Sequence, residues 1–117
     1  MVVGGTKPQG QADADAAKFR SSLGAVVISS ASDDRAAWVR SGQVYERLAL
    51  QMTVLGVQSA FLNQPIEVNS VRGSFQTALG LGSAVPQLLM RFGHTPVGAP
   101  ALPRSLRRPV SQVLTTL

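Results

Sequence analysis

The sequence predicts an α+β domain from three observations. Ala25-Val-Val-Ile28, bounded by Gly24 and Ser29-Ser30, is a short β-branched run, too short for a stable helix and suited to a strand buried on both faces. Pro86-Gln-Leu-Leu-Met-Arg-Phe-Gly93 is apolar enough for a second interior strand, with Pro86 at its first position, where a missing amide is tolerated. Between them Ala37, Val44, Leu48, Met52 and Leu55 recur at three- or four-residue spacing, the period of one long helix. These describe a short sheet packed with one long central helix.

The remaining elements follow in chain order. Residues 1–15 are rich in Gly, Gln, Ala and Asp, lack periodicity, and carry Gly4-Gly5 and Lys7-Pro8, so they read as a flexible N-terminal tail ahead of a domain over 16–117. Ser32-Asp33-Asp34 supplies capping oxygens and early negative charge for a helix that starts near Arg35 and stops at Gly56. Val39, Leu50 and Val54 widen its apolar stripe beyond one face, which points to a core helix or one that also touches a second subunit. Val57 to Leu62 reads as extended, and Pro65 biases Gln64 away from helical torsions, so a turn is expected there. Asn69 or Ser70 can cap a second, amphipathic helix through Leu79, with Val71, Phe75, Ala78 and Leu79 inward, ended by Gly80 and Gly82. Pro96, Pro100, Pro103 and Pro109 make the C-terminal tail extended.

Composition narrows the function. With no cysteine and one histidine among 117 residues, thiolate catalysis, disulfides and histidine-rich metal sites are excluded. No apolar run reaches the ~20 residues of a membrane span, and the N-terminus does not read as a secretory signal, so the cytoplasm is expected. Residues 1–68 balance six basic against six acidic side chains, so the whole net charge of +5 rests on Arg72, Arg91, Arg104, Arg107 and Arg108. Such a field favours an anionic partner. Low aromatic content and the lack of a docking motif argue against nucleic acid. No Ser-His-Asp set, Walker loop or G-x-G-x-x-G pattern occurs.

Several single residues invite a role. Gly42 inside the long helix costs roughly 1 kcal/mol relative to alanine, which signals close approach of another element. Trp38 reads as a packing residue, His94 as exposed, and Glu46, Arg47 and Glu67 as surface or interface charges. Asp33 and Asp34 read as a helix start, because adjacent carboxylates cannot flank a substrate from two sides.

The order of these features resembles the C-terminal half of nitroreductase-fold FMN flavoproteins, especially their Acg-like branch. The resemblance rests on the Gly42-Gln43 pair, the run Ser59-Ala-Phe-Leu-Asn-Gln-Pro65, the Gln87-Leu-Leu-Met-Arg-Phe-Gly93 strand and Leu106-Arg-Arg-Pro-Val110, over residues 16–114. It implies a partial nitroreductase-like domain, because family members begin with a segment, often bearing Arg-Ser-x-Arg, with no counterpart upstream of Ala16. It further implies FMN at a homodimer interface, phosphate contact by Arg107 or Arg108 with Arg104 as a further candidate, and a backbone amide of Asn63 or Gln64 beside the flavin ring. Physically, a guanidinium clamps phosphate with charge-assisted, often bidentate bonds. The competing readings are a solvated basic tail for the arginines and an Asx-type turn for Asn63. The activity implied is NAD(P)H-dependent reduction of a small-molecule oxidant, a nitro-compound or quinone. The alternative is a non-catalytic FMN-binding or dimerisation module.

Overall fold

The computed structural model describes residues 8–100 and 106–114. The expected α+β architecture is present. In chain order the elements are α1 (Pro8–Arg20), β1 (Gly24–Ser30), α2 (Arg35–Val54), β2 (Gln58–Phe61), α3 (Gln64–Glu67), α4 (Asn69–Ala78), β3 (Val85–Gly93) and a 3-10 turn, Val110–Gln112. The three strands form one antiparallel sheet in the order β1-β3-β2.

Each sheet face carries its own small core, since successive strand residues point to opposite sides. On the α2 face Ile28, Met52 and Met90 are buried together, with Val26, Leu48 and Leu88 packed around them. Tyr45 of α2 lies against Phe61 of β2, ring centroids 5.0 Å apart and tilted by 46°. On the opposite face Leu62, Ile66 and Leu89 pack with Ala25, Val27 and Phe75, which seats α3 and α4.

The long helix starts and stops where its local chemistry says it should. Asp34 is its N-cap, and its Oδ1 accepts from the Ala37 amide at 2.8 Å. That bond, with the Ser32 hydroxyl, holds the Asp34 carboxyl below its ordinary value. At the other end Gly56 adopts φ +67°, while the Val57 amide donates to Met52 O at 2.8 Å and the Gly56 amide to Thr53 O at 3.1 Å. This pair of bonds is the Schellman closure, with Val57 packed against the core that contains Met52. Gly80 closes α4 the same way, at φ +65° with Leu81 bonded to Gln76 O at 3.2 Å.

Asp33 does not cap the helix. Its Oδ1 accepts from the Trp38 indole at 2.7 Å and from Gln87 at 3.2 Å, and its Oδ2 accepts from Arg72 Nη1 at 2.8 Å. Arg72 Nη2 also donates to the Pro86 carbonyl at 3.0 Å. The junction between β1 and α2 is thereby tied to α4 and β3. The Trp38 bond first, then Gln87 and Arg72, hold the Asp33 carboxyl below its ordinary value of 3.8.

Five expectations are corrected. Residues 8–15 belong to α1, where a loop was expected; Gln9 bonds Asp13 and Gln11 bonds Asp15, and such i,i+4 pairs support a helix that has no apolar stripe. Gln64 and Pro65 open the short helix α3 instead of a turn, because proline is tolerated in a first turn, where its missing amide would have had no partner. The residue before α4 is Val68, with no side-chain cap, where Asn69 or Ser70 was expected to cap. Trp38 is 53% exposed, held by Asp33 instead of by packing. Gly42 has no described atom within 4 Å of where a Cβ would stand, so close helix packing does not account for it. Arg104 lies outside the described residues.

Two tests follow from this architecture. Gly56→Ala should destabilise the domain by about 1–2 kcal/mol in chemical denaturation, the cost of a left-handed L-residue, whereas Gly42→Ala should not destabilise it. Because the folded Asp33 carboxyl titrates below its unfolded value, its contribution is complete above pH 3.8 and is lost as pH falls through the folded value. Trp38, the single tryptophan, should report that loss as an acid-side change in fluorescence that Asp33→Asn abolishes.

Candidate functional site

The Ser59–Pro65 run sits at the end of β2, where the sheet becomes unfinished. Residues of β3 from Gly93 to Met90 are paired with β2, and Leu62 extends the ladder by donating to Leu89 O at 3.0 Å. The chain then turns away into α3. The next β3 donor, the Leu89 amide, is taken by the side chain of Asn63, Oδ1 at 2.9 Å, and the next carbonyl, that of Pro86, by Arg72. Side chains thus stand in for strand on this edge of β3.

Asn63 accepts twice more through its own carbonyl, from Ile66 at 2.8 Å and Glu67 at 2.9 Å, which fixes the start of α3. The amides of Asn63 and Gln64 donate to none of the described residues. Two donors are therefore left at the mouth of the segment that the sequence singled out. Gln64 is exposed and Ile66 is buried, so α3 is anchored through one side and presents the other.

Beside this segment lies a groove of about 690 Å³. One wall is α1, through Gln11, Asp15, Phe19 and Arg20; the other is Leu62, Gln64, Pro65, Val71 and Phe75, over a floor of Leu89. The volume falls within the ~300–1,000 Å³ of small-molecule sites, and a mostly apolar lining with a few polar groups is the usual composition of such sites. Asp15 sits on the wall tied to Lys18 and Gln11, both at 2.9 Å, and the Lys18 bond foremost holds its carboxyl below the ordinary value. It is an ionised acceptor with its partners already supplied.

The predicted site residues do not all converge. Asn63 and Gln64 are adjacent, and Gln64 lines the groove. Arg107 and Arg108 lie on the exposed segment before Val110–Gln112 and are not part of the groove lining. Glu67 and Glu46 are exposed, as is His94, whose Nδ1 lies 3.3 Å from Gly56 O. Among the described residues no group of three or more His, Cys, Asp or Glu side chains could hold a metal. No helix among them is long and apolar enough to cross a membrane.

Sequence reasoning missed the α1 wall. Phe19 and Arg20 gave no periodic signal, and only the folded-back position of α1 makes them groove residues. Arg91 was legible as the lone charge inside an apolar strand run, but it was given no role beyond the net charge and the strand motif.

Comparison with known proteins supports a nitroreductase-like relationship. Two proteins of Mycobacterium tuberculosis, from strains CDC 1551 / Oshkosh and ATCC 25618 / H37Rv, are each named "Putative NAD(P)H nitroreductase". Each is 30% identical to this chain over 89 residues, which is 76% of the chain and 26% of the relative. The chain therefore spans about a quarter of the length of the curated relatives it matches. No protein-family profile matches the chain, and no solved structure matches it. Across three quarters of its own length, then, the chain is similar to proteins named as NAD(P)H nitroreductases, and its α+β fold is consistent with part of such a domain.

Proposed function

We propose that this chain forms part of an FMN-linked oxidoreductase of the nitroreductase type, taking electrons from NAD(P)H and delivering them to a small nitro-compound or quinone, in the cytoplasm. The observation that carries the reading is the likeness to two relatives named for that activity, over a stretch that includes the groove segment Leu62–Pro65. The groove fits a flavin by size and lining: about 690 Å³, walled by Phe19, Pro65 and Phe75. Asn63 and Gln64 would offer their unengaged amides to the polar edge of the ring, and Arg107 or Arg108 would hold its phosphate. When bound, FMN supplies the hydride relay between the nicotinamide and the oxidant, while the protein positions it and excludes water.

The same reading calls for a homodimer, and an exposed apolar stripe on α2 supports it. Val39, Leu50 and Val54 are 63%, 60% and 79% exposed and lie on one stripe of the helix, opposite Met52. An antiparallel pair of α2 helices, with a two-fold axis between Glu46 and Arg47, sets Val39 against Val54 of the second copy and Gln43 against Leu50. Glu46 then meets Arg47 across the axis, so the stripe is complementary to itself in charge as well as in apolarity. That pairing also supports a second reading, a dimerisation or FMN-binding module without turnover.

Titration with FMN, followed by flavin fluorescence and size-exclusion chromatography, tests both. Stoichiometric binding by a dimer, weakened at least ~10-fold in Arg107→Ala or Arg108→Ala, is expected. NADPH-dependent bleaching of the complex selects the enzyme over the module. A colourless protein that excludes FMN from its dimer would refute the flavin reading.

A further inference from the structure

The fold contains two half-buried arginines, and their surroundings differ. Arg72 has a carboxylate at 2.8 Å and a carbonyl at 3.0 Å. Arg91, near the C-terminal end of the central strand, forms no ion pair among the described residues. Its one hydrogen bond there is a long one, from Nη1 to the Ser22 hydroxyl at 3.4 Å; its Nε, like that of Arg72, is buried with no partner, so the two differ in what their terminal nitrogens meet. A guanidinium is costly to withdraw from water without an anion, and each buried polar atom left without a partner calls for an explanation.

The sheet register locates this cation relative to the groove. Arg91 lies opposite Ala25 of β1 and Ala60 of β2. Residues paired across an antiparallel ladder share a face, so Arg91 is flanked on both sides by the smallest side chain that a Cβ allows. Leu89, the groove floor, is two residues away on the same face, about 7 Å along the strand. The Ser22 contact places the guanidinium toward the end of α1, whose last residues Phe19 and Arg20 form a groove wall. Arg20 also has no ion pair among the described residues. Arg20 lines the groove, and Arg91, outside the lining, adjoins it next to Leu89 between the two alanines, so two cations without carboxylates stand near this end.

We propose that Arg91, with Arg20 at the rim, is the anion-binding end of this groove. The groove then takes a small amphipathic ligand with a flat apolar body and one phosphate or carboxylate. The body lies between Phe19 and Phe75 over Leu89; the anion bridges the unengaged donors of Arg91, which present a planar fork suited to either group. The assignment stands apart from the tail arginines and does not depend on the ligand being a flavin. Phosphate and carboxylate share the chemistry, and the test separates them.

The Nε–H signal of Arg91 in the whole protein, labelled with nitrogen-15 and assigned by its disappearance in Arg91→Lys, reads the site directly by NMR. Phenyl phosphate, benzoate and benzyl alcohol present one ring with a phosphate, a carboxylate or no charge. A saturable shift of the Arg91 signal with phenyl phosphate or benzoate, at concentrations at least ~10-fold below any effect of benzyl alcohol, is expected, and the stronger of the two names the anion. Arg91→Gln, shown folded by circular dichroism, should lose that preference while still admitting benzyl alcohol. An Arg91 signal unmoved by both anions, or an anion preference that survives Arg91→Gln, overturns the assignment. If FMN fails to bind while the Arg91 signal still responds to phenyl phosphate, the flavin reading falls and the anion site stands.

Discussion

The contact between Arg72 and Asp33 is the constraint on which the arrangement of elements depends. It joins residues 39 apart in sequence, and the same guanidinium reaches the Pro86 carbonyl. Without it α4 would lose its polar tie to the start of α2 and to the Pro86 carbonyl of β3. Gln87 reinforces the junction by donating toward Ser30 and Asp33 together. Because the pair is partly exposed, at 22% and 39% for the two side chains, its value lies in orientation more than in strength. Apolar packing supplies the affinity between layers, and the polar hub selects one arrangement among those that packing alone would allow.

That junction also explains how a sheet with a four-residue edge strand stays closed. β2 covers less than half of β3, and the carbonyl and amide beyond it would otherwise face the apolar layer of α3 and α4. Asn63 and Arg72 answer them from the side. The cost of this solution is that Asn63 has a fixed structural duty. Its side-chain oxygen is committed to the strand, while its backbone amide and that of Gln64 stay unengaged among the described residues. Position 63 thus combines two readings that the sequence had set against each other, since an asparagine that shapes the turn also aims the free donors.

The parts of the fold governed by local chemistry were legible. β1, the bounds of α2 and the Gly56 and Gly80 closures followed from β-branched runs, capping oxygens and glycine, all of which act over a few residues. α1 was not legible because its support is polar, a set of i,i+3 and i,i+4 contacts among Gln, Asp and Lys with no apolar stripe to reveal it. α3 was hidden by Pro65, whose usual message of helix avoidance is reversed in a first turn. For the candidate site, Asn63 and Gln64 were found as a segment. The groove itself was not, because Phe19, Phe75 and Leu89 meet only through tertiary structure.

The order β1-β3-β2 has a consequence for how the chain acquires its shape. The strand that is last in sequence is the middle one in space, and the two earlier strands have no ladder contact with each other. Within this sheet β1 and β2 therefore exchange solvent hydrogen bonds for strand pairing only once Val85–Gly93 is in place. Helices α2 and α4 can form at once, so they hold apolar faces without a sheet to cover until β3 arrives.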